Sequence, residues 1–499
     1  MAENESIKIT QLPSSTVTED GDYLVFSTET NTFKIKVKDF MVQFTQAINK
    51  SIADEETSRK TADNLLQKNI DDEVTNREST DTKITNALNK ESEERAKADT
   101  ALQNEISELN GLIDYHVYGF KREIANSNYL TRITYTDEAV GKTPVTVNLT
   151  NQTQDLGSWG GFINKVARPV MVNYGGVVDY ELDHNDTTKK LDGSPSDIDN
   201  LEYKGNAMVE FRNYRYVSRK TVDGFQYVRF ANYKVDDTFE DNAFINENRV
   251  HSLEFYFSMF DGGLVGDKMR SIAGAEILRS KNASQEMTLA KSNGKGWNTG
   301  TWSQLNYIWD LLTLLGKTDG LQETFGRGIC DLSYNNGVNP FGWIVGQTKN
   351  KGCFFGQSDG ANPVRTLWIE DLWGRSYDRY AGLINDNGTF KVKLVPPYPT
   401  PSNSAGAYSD YINTELVTPA GGYVKEANCS EFGFLPQVVG GGSRKYFCDY
   451  FYKNDAGVKY VLVGGNWSNG SFCGRSISMD IASSAASTNY GSRLSYTAQ

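Results

Sequence analysis

Three segments decide how this chain is read: "RKTADNLLQKNI" (59–70), "RESTDTKITNAL" (77–88) and "RAKADTALQNEI" (95–106). They align at a constant offset of 18 residues, matching Arg59 with Arg77 and Arg95, Asp63 with Asp81 and Asp99, and Leu66 with Ile84 and Leu102. Ile70, Leu88 and Ile106 line up in the same way. Five turns of an undistorted helix take this many residues at about 3.6 per turn, so the apolar seam neither winds left as a heptad does nor right as an 11-residue repeat does. Pro is absent from 51–113 and Gly111 is the only glycine there. At about 1.5 Å per residue the segment predicts a nearly straight rod of about 90 Å. A polar helix with one thin apolar stripe needs partners to bury it. The expectation is a long parallel α-helical coiled coil over 51–115, formed with copies of the same chain. Its inner positions would be Ala62, Leu66, Ile70, Thr80, Ile84, Leu88, Ala98, Leu102, Ile106, Leu109 and Ile113. The mixture of Ile and Leu at these positions does not set the number of strands.

The flanking segments differ in texture. "DYLVFSTETNTFKIKVKDF" (22–40) has an apolar run, a polar turn, then Phe33, Ile35 and Val37 alternating with lysines. That period of two predicts a hairpin in a small β module over 1–48, which needs a partner because two strands alone are marginal in water. From 118 to 499 the chain turns to Gly, Asn, aromatics and short alternating runs such as "NAMVEFRNYRYVSR" (206–219), "SLEFYFSMF" (252–260) and "VKYVLVGG" (458–465). One amphipathic helix is expected in "TWSQLNYIWDLLTLLGKTD" (301–319), with Gly316 as its stop. Together these features predict a large irregular α+β domain. "PPYPTPSNSAG" (396–406) is the best candidate break, although the strands beside it could share one sheet.

At 499 residues the chain supports two or three domains. Its 63 acids against 51 bases, a formal charge of -12, argue against nucleic acid and anionic membranes as partners. No apolar run approaches the ~20 residues of a membrane span, so no membrane insertion is expected. "MAENESIKIT" has neither the basic nor the apolar region of a signal peptide, which predicts synthesis in a cytoplasm. Five cysteines without a CxxC read as buried reduced thiols.

Chemistry is poorly represented. His116, His184 and His251 lie far apart without HExxH spacing, "GNWSNG" is not a nucleophile elbow, and "GLVGDKMRS" lacks the phosphate-loop pattern. The acidic run "LDHNDTTKKLDGSPSDIDN" (182–200) does not have EF-hand spacing and reads as solvated turns. No enzymatic activity, cofactor or metal is expected.

Several motifs carry a resemblance: "VMVNYGGVVDYELDHNDTTKKLDG" (170–193), "NAMVEFRNYRY" (206–216), "LVGDKMRSIAGAE" (264–276), "LLTLLGKTDGLQETFGRGI" (311–329), "IEDLWGRSYDRYAGLIN" (369–385), and the closing "LVGGNWSNGSFCGRS" with "YGSRLSY" (462–496). They resemble a family of phage structural proteins with a C-type-lectin-like domain of the formylglycine-generating-enzyme type, the fold shared by diversity-generating variable proteins. "ITQLPSSTVTEDGDYLVFS" (9–27) is similar to the virion-joining segment of phage fibres. The resemblance implies a homotrimeric virion fibre, located in the virion, whose residues 1–48 dock on a tail or capsid protein. Its domain over 118–499 would bind a host surface glycan or protein. It further implies a ligand face at Asn466, Trp467, Ser468, Asn469, Ser471, Phe472, Arg475, Ser476, Asn489 and Tyr490, with turns at Gly464, Gly465, Gly474 and Gly491. Asn and Ser hydrogen-bond adaptably and aromatics add contact area at low entropic cost. Cys429, Cys448 and Cys473 do not reproduce the catalytic cysteine motif of the formylglycine-generating relatives. Two alternatives stand beside this expectation: a structural or decorative fibre, and a polysaccharide depolymerase, although 118–499 shows no β-helix repeat.

Overall fold

The computed structural model describes residues 23–27, 32–74, 88–99, 115–333 and 343–499. The chain divides into two units, Met1–Tyr115 and His116–Gln499.

In the first unit, strands Tyr23–Ser27 and Thr32–Lys36 pair antiparallel, Tyr23 opposite Lys36. A helix, Val37–Val74, starts directly after the second strand, and a further helical segment covers 88–99. Arg59 Nη2 lies 2.7 Å from Asp99 Oδ1, and Arg95 Nη1 lies 3.2 Å from Asp63 Oδ2. As one partner advances by four residues the other retreats by four, which is the antiparallel sense. In one continuous helix, residues 59 and 99 would stand about 60 Å apart. This overturns the expected parallel coiled-coil rod over 51–115: the two helical segments pair with each other within one chain. The repeat explains how. Arg and Asp recur at equivalent positions, so two segments running antiparallel bring Arg59 to Asp99 and Arg95 to Asp63. Arg59, Ala62 and Leu66 in the first segment, and Leu88, Glu91, Arg95 and Asp99 in the second, are half-buried, while Ala98 is exposed. The side chain of Ile70, and Thr80, Ile84, Leu102, Ile106, Leu109 and Ile113, lie outside the described residues.

The second unit is built mainly from antiparallel sheets, not the expected α+β mixture, and its longest helix has 15 residues. A five-stranded sheet runs in the order Phe239–Glu240, Tyr216–Val222, Phe225–Ala231, Val117–Glu123, Ile133–Asp137. A six-stranded sheet runs Trp297–Thr299, Leu494–Thr497, Glu254–Ser258, Gly205–Arg212, Ala167–Asn173, Val178–Glu181. Every residue of Gly205–Arg212 is buried, as befits a central strand covered on both faces. The largest sheet has nine strands and includes Ile412–Val417, Thr389–Val392, Tyr377–Asp386 and Val458–Val463 side by side. Thr389–Val392 and Ile412–Val417 pair across the Pro-rich segment 396–406, so that segment links neighbours in one sheet and divides no domain.

Helix Trp302–Gly316 is buried all round except at Asp310, so its expected amphipathic character is replaced by a core position. Its polar groups are matched inside. Thr301 Oγ1 accepts from Gln304 N, Trp302 Nε1 donates to Phe432 O at 2.8 Å, and Tyr307 OH donates to Tyr214 O at 2.9 Å. The left-handed cap is Lys317 (φ 52°) and not Gly316. Gly316 is the last helical residue, and a Cβ there would meet the Phe325 ring at 2.7 Å.

The C-terminal segment crosses between two sheets. Tyr490–Ser492 runs parallel to Tyr377–Asp386 in the nine-stranded sheet, and Leu494–Thr497 lies between Trp297–Thr299 and Glu254–Ser258 in the six-stranded one. Arg493 stands at the crossing, fully buried. Its Nε donates to Asp378 Oδ2 at 2.6 Å, its Nη2 pairs with Asp261, and the same nitrogen donates to the carbonyls of Glu370 and Asp371 at 2.8 and 2.5 Å. Arg375 adds pairs to Asp371 at 2.5 Å and to Glu370 at 3.4 Å. Two guanidinium groups thus face four buried carboxylates. Burial pushes Asp261 and Asp371 up to about 7 and Asp378 up to about 6, against the pull of the arginines.

Candidate ligand-binding face

Residues 464–476 form a loop whose geometry starts from its glycines. Gly465 (φ 77°) has its missing Cβ position 2.4 Å from Cys473 Sγ, and Gly474 (φ 103°) has its own 2.5 Å from Asp449 Oδ1. Only glycine allows the two ends of the loop to approach this closely. Gly491 makes no turn; it lies within strand Tyr490–Ser492.

Much of the expected ligand face points inward. Asn466 is 7% exposed, and its Oδ1 accepts from Ser468 N and Ser468 Oγ, both at 3.0 Å. Its backbone N–H donates to Asn469 Oδ1 at 2.8 Å. Trp467 is 7% exposed and donates from Nε1 to Asn489 Oδ1 at 3.0 Å. Arg475 is buried: Nε donates to Asp449 Oδ2 at 2.9 Å and Nη2 to Asp319 Oδ1 at 3.1 Å. Ser476 is fully buried beside it. Asn466, Trp467, Arg475 and Ser476 are therefore anchors of the loop and not ligand contacts. The side chains of Asn466, Trp467 and Arg475 are hydrogen-bonded internally, which is the condition for burying them, whereas the Ser476 hydroxyl is buried without a hydrogen-bond partner among the described residues. Arg122 and Arg132 join Arg475 around Asp319. Burial alone would push the Asp319 carboxyl up, but Arg122, Arg475 and Arg132 outweigh it and hold it well below the usual carboxylate range.

What remains at the surface is Ser468, exposed, and Asn469, Ser471, Phe472, Asn489 and Tyr490, half-buried. Tyr490 sits 6.4 Å from the Tyr377 ring, with the Arg379 guanidinium 5.2 Å from its centroid. Phe472 belongs to a larger group. Its ring centroid is 4.3 Å from Tyr450, 5.5 Å from Tyr423 and 6.1 Å from Tyr452. All four rings are half-buried. Tyr423 and Tyr450 stand directly opposite each other on paired strands. Tyr450 and Tyr452 share one face of strand Tyr450–Lys453, while Phe451 between them is fully buried. Ser471 Oγ and Tyr423 OH lie 2.8 Å apart and fix the loop to the strand.

Tyr423, Tyr450 and Tyr452 were missed in the sequence, although "DYFYK" (449–453) carries the signal of two rings on one face flanking a core residue on the other. Four half-buried rings thus meet at one place on the surface, and aromatic side chains are frequent anchors of interaction sites.

A cleft of about 250 Å³, counting its open mouth, adjoins the patch at Ser471 and Cys473, and Gln322, Glu323, Arg327 and Ser443 also line it. A second cleft of about 330 Å³ is lined by Glu240, Glu431, Arg219 and Asn306. Burial pushes the Glu240 carboxyl up, with Asp241 and Glu431 adding to the shift and Lys234 opposing it.

Among the described residues no group of three or more His, Cys, Asp or Glu side chains is placed to hold a metal ion. In the acidic run 182–200, Asp183 accepts from the backbone N–H groups of Asn185 and Asp186, and Asp192 from that of Ser194, so these carboxylates close local turns. All five cysteines are buried and free. No model of a known protein family matches the chain, and no characterised protein matches it in sequence.

Proposed function

We propose that this chain is a bacteriophage virion protein that attaches the particle to a host surface through the second unit, with residues 1–48 as the segment that joins the particle. The observation that carries the reading is the cluster of Tyr423, Tyr450, Tyr452 and Phe472 at the surface beside the Ser- and Asn-rich loop. Large rigid rings next to small adaptable hydroxyls and amides are the composition of recognition surfaces. The loop beneath them is held by buried hydrogen bonds and ion pairs, which lowers the ordering cost of binding. The motif resemblance to phage structural proteins supports the same reading, and binding without turnover suits the scarcity of convergent catalytic groups.

The test is saturable binding of fluorescently labelled full-length protein to a panel of intact bacterial cells, with Phe472→Ala and Tyr450→Ala alongside. Binding that both variants reduce is expected. If no cell type binds, the attachment reading fails and a structural role within the virion takes its place. A polysaccharide-cleaving reading is favoured by one observation, the shared cleft of Glu240 and Glu431 with its raised carboxyl. Release of reducing ends from host polysaccharide, lost in Glu240→Gln, would move the assignment there.

A further inference from the structure

We propose that Cys330 and Cys473 are a latent disulfide: two free thiols held side by side in the fold, which a small-molecule disulfide joins into a bond that staples the 464–476 loop to segment 326–332. This goes beyond the attachment reading and does not rest on it.

The two cysteines meet through their backbones as well as their sulfurs, which is what a disulfide requires. Their side chains share a hydrogen bond. Gly470 N donates to Cys330 O at 2.8 Å and Cys473 N donates to Gly470 O at 3.3 Å, so a single residue ties the two cysteine backbones together. Leu332 N donates to Trp467 O at 2.9 Å, and Gln322 Nε2 reaches both Cys330 Sγ at 3.6 Å and Gly470 O at 3.4 Å. Each thiol also donates to a carbonyl, Cys330 to Arg327 O and Cys473 to Asn466 O, both at 3.4 Å. Thiols are weak donors, so little is given up when the protons leave.

The other three cysteines are placed differently. Cys353 Sγ donates to Gln154 Oε1 at 3.5 Å, Cys429 Sγ to Tyr227 O at 3.7 Å and Cys448 Sγ to Tyr446 O at 3.9 Å. They face oxygen acceptors and serve as internal controls for the pair.

In the closed loop burial pushes the Cys473 thiol up, which keeps it protonated and unreactive. Residues 464–476 contain no strand, and a segment held without a ladder opens locally. Once the loop opens, the Cys473 thiolate attacks one sulfur of the disulfide RSSR, forming a mixed disulfide and expelling one thiolate. As the loop closes, the Cys330 thiolate attacks the Cys473 sulfur and expels the second. Two protein thiols are oxidised, RSSR is reduced to two RSH, and the two cysteine protons end on the two leaving thiolates. A reducing cytoplasm keeps such a pair open and an oxidising exterior closes it. Cys473 directly follows Phe472, so the bond would pin the displayed ring.

The test starts from reduced full-length protein in native buffer, exposed to glutathione disulfide, then unfolded in an alkylating agent and cleaved with trypsin. The two cysteines fall on separate peptides, 328–349 and 460–475, with one cysteine each. Linkage of these two peptides is expected, with Cys353, Cys429 and Cys448 alkylated. The melting temperature should rise on oxidation and fall back with dithiothreitol, because the bond constrains the unfolded chain. Cys330→Ser should form no linkage and show no oxidant-dependent rise. Alkylation of both Cys330 and Cys473 after oxidation, linkage of either to another cysteine, or linkage only when denaturant is present during oxidation overturns the pair. A linked protein that melts lower than the reduced one overturns the staple.

Discussion

Residues 464–476 and 490–497 look alike as text, each mixing Ser and Gly with one arginine and a few aromatics. They behave as opposites. The second segment is strand, paired in two sheets and buried from Gly491 to Thr497. The first is loop, and after its anchors are satisfied it still presents Ser468, Asn469, Ser471 and Phe472. The two arginines differ too. Arg493 and Arg375 face four carboxylates, whereas Arg475, Arg122 and Arg132 face Asp319 and Asp449. Ladder partners, more than composition, separate what is stitched in from what is shown.

The largest effect is expected at the stitch. Arg493→Ala removes the partner of Asp261 and Asp378 in a fully buried place and should cost about 3–5 kcal/mol, measured by denaturant unfolding of the full-length protein. Arg475→Ala leaves one buried carboxylate, Asp449, without its guanidinium while Asp319 keeps Arg122 and Arg132, so it should cost less than losing Arg493, which serves Asp261, Asp378 and two buried carbonyls. Equal losses would erase the distinction between the two clusters.

A pH series sharpens it further. Asp261 and Asp371 at about 7 and Asp378 at about 6 lie above the ~4 of an unfolded aspartate. The folded state therefore holds more protons between these values. Their contribution is full below about pH 4 and is lost as pH rises through about 6 to 7. The melting temperature of the second unit should accordingly be higher at pH 5 than at pH 8. Asp319 acts in the other direction, with stability lost only as pH falls below the usual carboxylate range. A melting temperature that rises from pH 5 to pH 8 would contradict the excess of buried carboxylates.

The smallest contrast lies inside the loop. Asn466→Ala removes an acceptor used by Ser468 twice and should cost about 1 kcal/mol. Asn466 is the anchor and Ser468 is the displayed residue, so Ser468→Ala should stay within about 0.5 kcal/mol. Thermal melts of the two variants measure this, and a reversed order would place Ser468 inside.

How much of this was legible in the sequence depends on what each signal determines. The 18-residue repeat set out a regular spacing of Leu, Ile, Arg and Asp over 59–106. It did not identify the partner: Arg59 and Asp99 stand about 60 Å apart along one helix or between parallel copies in register, and meet only because the two segments run antiparallel. The short alternating runs located strands such as Glu254–Ser258 and Val458–Val463, but the sheet order depends on pairings more than 200 residues apart, such as Phe255 with Thr497. In the loop, the resemblance implied display for Asn466, Trp467, Arg475 and Ser476. Only the partners of Trp467 and Arg475, namely Asn489, Asp449 and Asp319, and the burial of all four show that they face inward. Tyr423 and Tyr450 were hidden for a related reason: they meet across strands 27 residues apart, and no local pattern announces that contact.

The central claim is that the loop's anchors and its displayed rings are separate. Binding to bacterial cells and thermal unfolding, measured in parallel on full-length Phe472→Ala and Arg475→Ala, test it most directly. The account predicts that Phe472→Ala loses about tenfold or more in binding with a stability change near 1 kcal/mol, as for a half-buried ring. It predicts that Arg475→Ala loses stability first, and binding only as the domain unfolds. Full binding by a folded Phe472→Ala protein would contradict it.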